Sequence, residues 1–214
     1  MLLVSNISIM VRKPKVLDPN ETYTFAKYFD LPYAIEDILA DLDYTINYQT
    51  LTLPQTQQPI DLTILRQQIQ RNIRITELTS EIARREALSA PILQEVCASL
   101  DLRLRVEYMV TVSRWLRGTL DYYIPTPSNL LVIEAKRQDL INGFTQLAVE
   151  LIALDQWTES ENPFLYGAVT TGTEWQFGIC DRNTRNITQD LKLYRVPEEL
   201  ETLTGILMGI LSQS

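Results

Sequence analysis

Between residues 102 and 136 the chain reads as three strands in succession. LRLRVEYMVTV (102–112) alternates apolar and polar residues, SRWLRGTLDYYI (113–124) alternates less cleanly, and LLVIEAK (130–136) follows a PTPSN turn. A period of two marks a strand with one buried face, and a short unbroken apolar run marks one buried on both. Connections this short make consecutive strands neighbours, so the stretch commits the chain to a sheet.

Helical periods lie on both sides of it. In TILRQQIQRNIRITELTSEIARREALSAPILQEVCASL (63–100), apolar residues at 75, 78, 82, 92, 96 and 100 predict a buried stripe, with Pro91 kinking the helix or splitting it. GFTQLAVELIALDQW (143–157) is a helix with Phe144, Leu147, Leu151 and Leu154 on one side. LYGAVTTGTEWQFGICD (165–181) reads as two strands about Gly172. VPEELETLTGILMGIL is an amphipathic helix with Pro197 at its start and Glu198 and Glu199 in its first turn, and Gly205 and Gly209 would allow close helix packing there, with core packing the plainer reading. Helix, three strands, helix, two strands and helix around one sheet make the class α/β (α+β).

Residues 1–62 have a different character. Tyrosines fall at 23, 28, 33, 44 and 48, and LPYAIEDILADLDY predicts a helix with Pro32 near its start and Ile35, Ile38 and Leu39 on one face. QTLTLPQTQQPIDLT alternates like a short strand and runs into a Gln/Pro-rich turn. The expected organisation is a Tyr-rich N-terminal extension (1–62) and a second domain (63–214). In MLLVSNISIMVRKPK the charges follow the apolar stretch, which Ser5, Asn6 and Ser8 interrupt. It reads as neither a signal peptide nor a membrane span, so a cytoplasmic, membrane-free protein is expected.

Composition removes several kinds of chemistry. Histidine is absent, which excludes Ser–His–Asp and Cys–His catalysis and His-ligated zinc. Glycine numbers seven, with no phosphate-loop or dinucleotide fingerprint. Cys97 and Cys180 lie in apolar contexts without metal spacing and read as buried free thiols. The net charge of −8 opposes nucleic-acid binding, but residues 63–140 carry eleven basic against nine acidic groups and hold most of the arginines. Any acid–base or metal chemistry must come from carboxylates, lysine or tyrosine.

Glu134 and Lys136, two apart at a strand's exit, share a sheet face. Asp121, in GTLDYYI on the preceding strand, can approach Glu134 if the two strands pair. Two converging carboxylates offer the hard oxygens that Mg²⁺ prefers, and a lysine beside them can act on water or phosphate. A solvated Glu134–Lys136 ion pair is the plainer alternative, as is an i,i+4 pair between Glu81 and Arg85.

The order Asp121…Glu134-x-Lys136, followed by a helix with Gln146, resembles the PD-(D/E)XK nuclease superfamily over residues ~75–210. It looks closest to the nuclease module of type I restriction enzyme motor subunits and stand-alone relatives. SEIARREALSAPIL matches that group's helix pattern through Glu81, Arg85 and Pro91. GTLDY matches through Gly118, Asp121 and Tyr122, VIEAK (132–136) is identical, and TTGTEW matches through Thr170, Gly172 and Trp175. Leu120 replaces the usual proline before the aspartate, and Glu150 stands where many relatives have a tyrosine four residues after Gln146.

The resemblance implies a restriction-endonuclease-like mixed sheet flanked by helices and a Mg²⁺- (or Mn²⁺-) dependent nuclease acting on DNA in preference to RNA, in restriction, repair or mobile-element biology. Asp121, Glu134, the Ala135 carbonyl and Glu81 would hold the metal. Lys136 would position the attacking water, and Gln146 would orient the site or a phosphate. The other reading is a catalytically idle nuclease fold that serves binding or assembly. A homodimer or a place in a larger restriction or repair complex is open on either.

Overall fold

The computed structural model describes residues 15–56, 61–126, 139–213 and the backbone of 130–135. The chain is α+β. In order, its elements are α1 (Phe25–Phe29), α2 (Ile35–Asp41), β1 (Thr45–Gln49), α3 (Thr63–Ile75), α4 (Glu81–Arg84), a π turn (Arg85–Ser89), α5 (Ala90–Leu100), β2 (Arg105–Thr111), β3 (Arg117–Pro125), β4 (Leu130–Ala135), α6 (Leu140–Trp157), β5 (Phe164–Thr170), β6 (Glu174–Asp181), β7 (Asn186–Arg195) and α7 (Leu200–Leu211). One mixed sheet runs in the order β1-β7-β6-β5-β4-β3-β2.

The three expected central strands form as consecutive antiparallel neighbours. After β4 the chain crosses over through α6 and returns as β5, parallel to β4, as a parallel pair requires. The region after α6 holds three strands, not the expected two. β7 completes an antiparallel run from β6 and takes β1 as a parallel outer neighbour.

Apolar side chains separate into two cores, one on each face of the sheet. α3, α5 and α7 cover one face over Tyr122, Ile124, Trp175 and Phe177. α1, α2 and α6 cover the other over Leu120, Tyr123, Val169 and Ile187. α6 lies between the sheet and the N-terminal helices, so it is buried without a break from Gly143 to Leu154 and not along one stripe only.

Three helical expectations are corrected. Ile75 and Ile82 are 67% and 66% exposed, because the chain leaves helical geometry at 76–80 and the stripe does not continue across the break. Ile92 and Val96 are buried as expected. Pro91 does not split the segment, which stays helical from Glu81 to Leu100. The π turn widens the helix just before it, and a wider turn relieves the clash of the proline ring with the preceding turn. Proline has no N–H to offer the carbonyl four residues back; that carbonyl, Ala87 O, accepts from Asn72 Nδ2 at 2.8 Å. At the C-terminus, α7 starts at Leu200, three residues after Pro197.

The described part of the Tyr-rich segment is built into these same cores. Tyr23, Tyr28 and Tyr44 are buried, and the Tyr28 hydroxyl donates to Trp115 O at 2.8 Å. The expected strand begins earlier than the alternation suggests, at Thr45, and residues 51–56 follow without strand structure. They cross α7 instead, with Thr56 N donating to Gly205 O at 3.0 Å. A Cβ on Gly209 would sit 2.6 Å from the Gln55 Cα, so the glycine admits this crossing. Among the described residues no helix is long and apolar enough to cross a membrane.

Candidate functional site

Alternation along a strand keeps residues i and i+2 on one face. β3 breaks that rule at Asp121: Leu120 packs into the core over α6, whereas Tyr122 packs into the opposite one and Tyr123 returns to the first. The facing position on β2 is Glu107, flanked by the pairs Val106↔Tyr122 and Tyr108↔Leu120. Its backbone lies in the left-handed region, with φ 52°, a conformation that costs a non-glycine residue about 1 kcal/mol or more. The two strands therefore reset their faces together at the Glu107–Asp121 row, which holds Asp121 half-buried.

On its other side, β3 pairs with β4 through Tyr122↔Ile133 and Tyr123↔Val132. Extended by one residue, that register sets Asp121 opposite Glu134, and Ala135 pairs onward with Thr170 of β5. The side chain of Glu134 and the whole of Lys136 lie outside the described residues. The backbone thus meets the expectation that Asp121 and Glu134 stand on neighbouring strands.

A cavity of about 410 Å³ opens beside Asp121, and Glu81, Glu107 and Gln146 also line it. Three of the residues singled out in the sequence, from α4, β3 and α6, share one cavity wall. Glu81 is the first residue of α4, whose start is fixed by Ser80 Oγ accepting from Ala83 N at 3.1 Å. Gln146 is 2% exposed and donates through Nε2 to Glu150 Oε1 at 2.9 Å, while its Oε1 is buried without a hydrogen-bond partner. Glu150 is fully buried and takes up the Gln146 amide.

Arg85 does not form the helical pair with Glu81 that its i,i+4 spacing allows. Its Nη1 donates to Glu107 Oε1 at 2.6 Å and lies 3.4 Å from Asp121 Oδ1. Burial works against the guanidinium charge, but the Glu107 and Asp121 carboxylates outweigh it and hold the Arg85 pKa above its ordinary value. Beneath them, burial pushes the Tyr122 hydroxyl up to about 12, with Arg85 opposing in part.

The N-terminal segment closes the cavity. Thr24 and Ala26 line it, Thr24 bridges to the backbone of Arg117, and Tyr23 N donates to Arg114 O at 2.8 Å. Gly118 makes this approach feasible. Its φ is 146°, and a Cβ there would lie 2.9 Å from Phe25 Cδ2 and 3.1 Å from Phe25 N.

The TTGTEW turn, by contrast, is held by its own hydroxyls. Thr170 Oγ1 accepts from Gly172 N at 2.9 Å and donates to Glu174 O at 2.8 Å, and Gly172 packs against Arg84 and Leu88. Cys97 and Cys180 are buried and free, and burial pushes the Cys97 thiol up to about 11.

Glu107 was not singled out in the sequence, although the connection from 112 to 116 centres the hairpin on residue 114 and so sets 107 across from 121. Thr24 and Ala26 carry no comparable signal, since only the fold brings them to β3. Among the described residues no group of three or more His, Cys, Asp or Glu side chains is placed to hold a metal ion. No protein-family model matches the chain, and neither a curated protein nor a solved structure matches it significantly.

Proposed function

We propose that the protein is a divalent-metal-dependent nuclease that hydrolyses phosphodiester bonds in DNA. The observation that carries this reading is the placement of Asp121 at a break in strand alternation, opposite Glu134 by register and on one cavity wall with Glu81 and Gln146. Such a cavity supplies carboxylate oxygens of the kind a hard cation takes, together with a buried Gln146 Oε1 that lacks a partner. Asp121, Glu134 and the Ala135 carbonyl would hold Mg²⁺ or Mn²⁺ from adjacent strands, and Glu81 would complete the acidic set from α4. A bound ion would supply Lewis-acid charge at the phosphate and a more acidic water.

The chain's own residues supply the rest of the chemistry. Lys136, two residues beyond Glu134, would orient the water and offset phosphate charge. Gln146 would present its amide to the cavity from a helix whose burial leaves it little freedom. Arg117, exposed on the cavity wall, offers a cation to a neighbouring backbone phosphate. The catalytic step would occur on the carboxylate side of this wall, with DNA preferred over RNA as the family resemblance implies. Restriction, repair or mobile-element biology is the setting in which such an activity fits.

One observation favours the second reading, a nuclease-like fold that binds without cleaving: the Arg85 guanidinium already stands 3.4 Å from Asp121 Oδ1. Titration of Mn²⁺ into wild type and Asp121→Ala by calorimetry separates the two. The nuclease reading expects saturable binding in wild type and at least a tenfold loss in the variant. Absence of binding in wild type would favour the idle module.

A further inference from the structure

Arg85 stands on the same helical segment as Glu81, at the first position of the π turn, and its guanidinium reaches the sheet. The two carboxylates it contacts differ in a way that matters. Its close partner, Glu107, has a side chain 52% exposed, whereas Asp121, at the longer distance of 3.4 Å, is 14% exposed. A half-exposed carboxylate is solvated without help, but a carboxylate largely withdrawn from water needs a cation nearby.

We propose that Arg85 is a resident counter-cation of Asp121, competing with a divalent ion for that carboxylate and remaining tethered to Glu107 when the ion takes its place. This rests on the reading of Asp121 as a metal ligand. Three features support the exchange. The Arg85–Asp121 contact is long for a charge-assisted hydrogen bond, so little directional bonding is lost when it opens. The Glu107 contact at 2.6 Å gives the guanidinium a place to stay. The π turn adds a residue to the helix where Arg85 emerges, and such turns give a side chain a direction that regular i,i+4 geometry does not. Glu107, held in a left-handed backbone conformation across from Asp121, keeps the tether on the cavity side.

The consequence is opposite to that expected of a residue that helps bind the metal. Removing Arg85 should tighten divalent-ion binding, because a competing positive charge is lost from the first neighbours of Asp121. Calorimetric titration of Mn²⁺ into wild type, Arg85→Met and Arg85→Lys measures this, with melting temperatures taken in chelator and in Mn²⁺. Arg85→Met should bind at least tenfold more tightly, about 1.4 kcal/mol. It should also melt lower than wild type in chelator and gain more from Mn²⁺. Both contacts run through the single Nη1; Arg85→Lys keeps the charge on a shorter side chain that reaches the pair less closely, so it should fall between the two, and it carries the test if Arg85→Met does not fold. Binding in Arg85→Met equal to or weaker than wild type, or in Arg85→Lys no tighter than wild type, overturns the proposal while leaving Asp121 a ligand. Absence of binding in all three proteins removes the metal-site reading itself.

Discussion

Substitution of Gly118 by alanine tests whether the N-terminal segment is part of the site. Two penalties are expected at this position. A φ of 146° is outside the range that an L side chain adopts without strain, which costs of order 1–3 kcal/mol. The added methyl group would also lie 2.9 Å from the ring of Phe25 and 3.1 Å from its backbone nitrogen, and overpacking of this kind costs about 1–3 kcal/mol. Part of each is relieved by the same small backbone shift, so a total near 3 kcal/mol is expected. In a domain of this size that corresponds to a melting temperature lower by about 6–12 °C. Urea denaturation of wild type, Gly118→Ala, Phe25→Leu and the double variant measures both parts. Phe25→Leu removes the ring but not the backbone contact, so the two substitutions should couple by about 1 kcal/mol, with the remainder persisting as strain. A cost below about 0.5 kcal/mol for Gly118→Ala, or strict additivity with Phe25→Leu, would refute the close approach of α1 to β3.

Two further outcomes follow from the buried polar groups. Asn72→Ala should cost about 1–2 kcal/mol in urea titration by depriving the buried Ala87 carbonyl of its side-chain donor, and a cost under about 0.3 kcal/mol would show that the bond contributes nothing. The alkaline limit of stability should be set by buried thiol and phenol groups. Burial raises Cys97 from 9.0 to about 11 and Tyr122, Tyr123 and Tyr194 from 10.0 to about 12. Each stays protonated longer in the folded chain than in the unfolded one. The stability they contribute is therefore complete below pH about 9 and is lost as pH rises to about 12, at up to ~1.4 kcal/mol per pH unit for each group. Denaturant midpoints that stay constant from pH 9 to 11 would contradict this.

Much of the site's framework was legible because it rests on short-range rules. Alternation and brief connections place β2, β3 and β4 side by side, and the apolar run of β4 matches a strand flanked by β3 and β5. Other elements depend on contacts distant in sequence. β7 reads as polar through Thr188, Gln189 and Asp190, yet it is a central strand, because those groups find partners only after folding. Gln189 Nε2 donates to Gln176 Oε1, and the buried Asp190 carboxylate accepts from Leu51 N and Lys192 N. Ile75 and Ile82 fit a helical stripe on paper, and the break at 76–80 that exposes them is announced locally only at its end, where Ser80 caps α4. The face switch at Glu107 and Asp121 was hidden for a related reason, since a pattern of two cannot reveal where a strand stops obeying it. Residues 15–56 look like an appendage by composition, yet their tyrosines and α1 supply core and cavity wall to the rest of the chain.

The most direct test of metal-dependent phosphodiester hydrolysis is a cleavage time course on duplex, single-stranded and branched DNA in Mg²⁺ and Mn²⁺, comparing wild type with Lys136→Ala. The lysine is expected to act on water and phosphate and not on the ion. Wild type should therefore cleave at least one substrate only when a divalent ion is present, and Lys136→Ala should lose at least a hundredfold in rate while still binding Mn²⁺ as wild type does. Equal residual cleavage by both proteins, or none by wild type on any substrate, would contradict it.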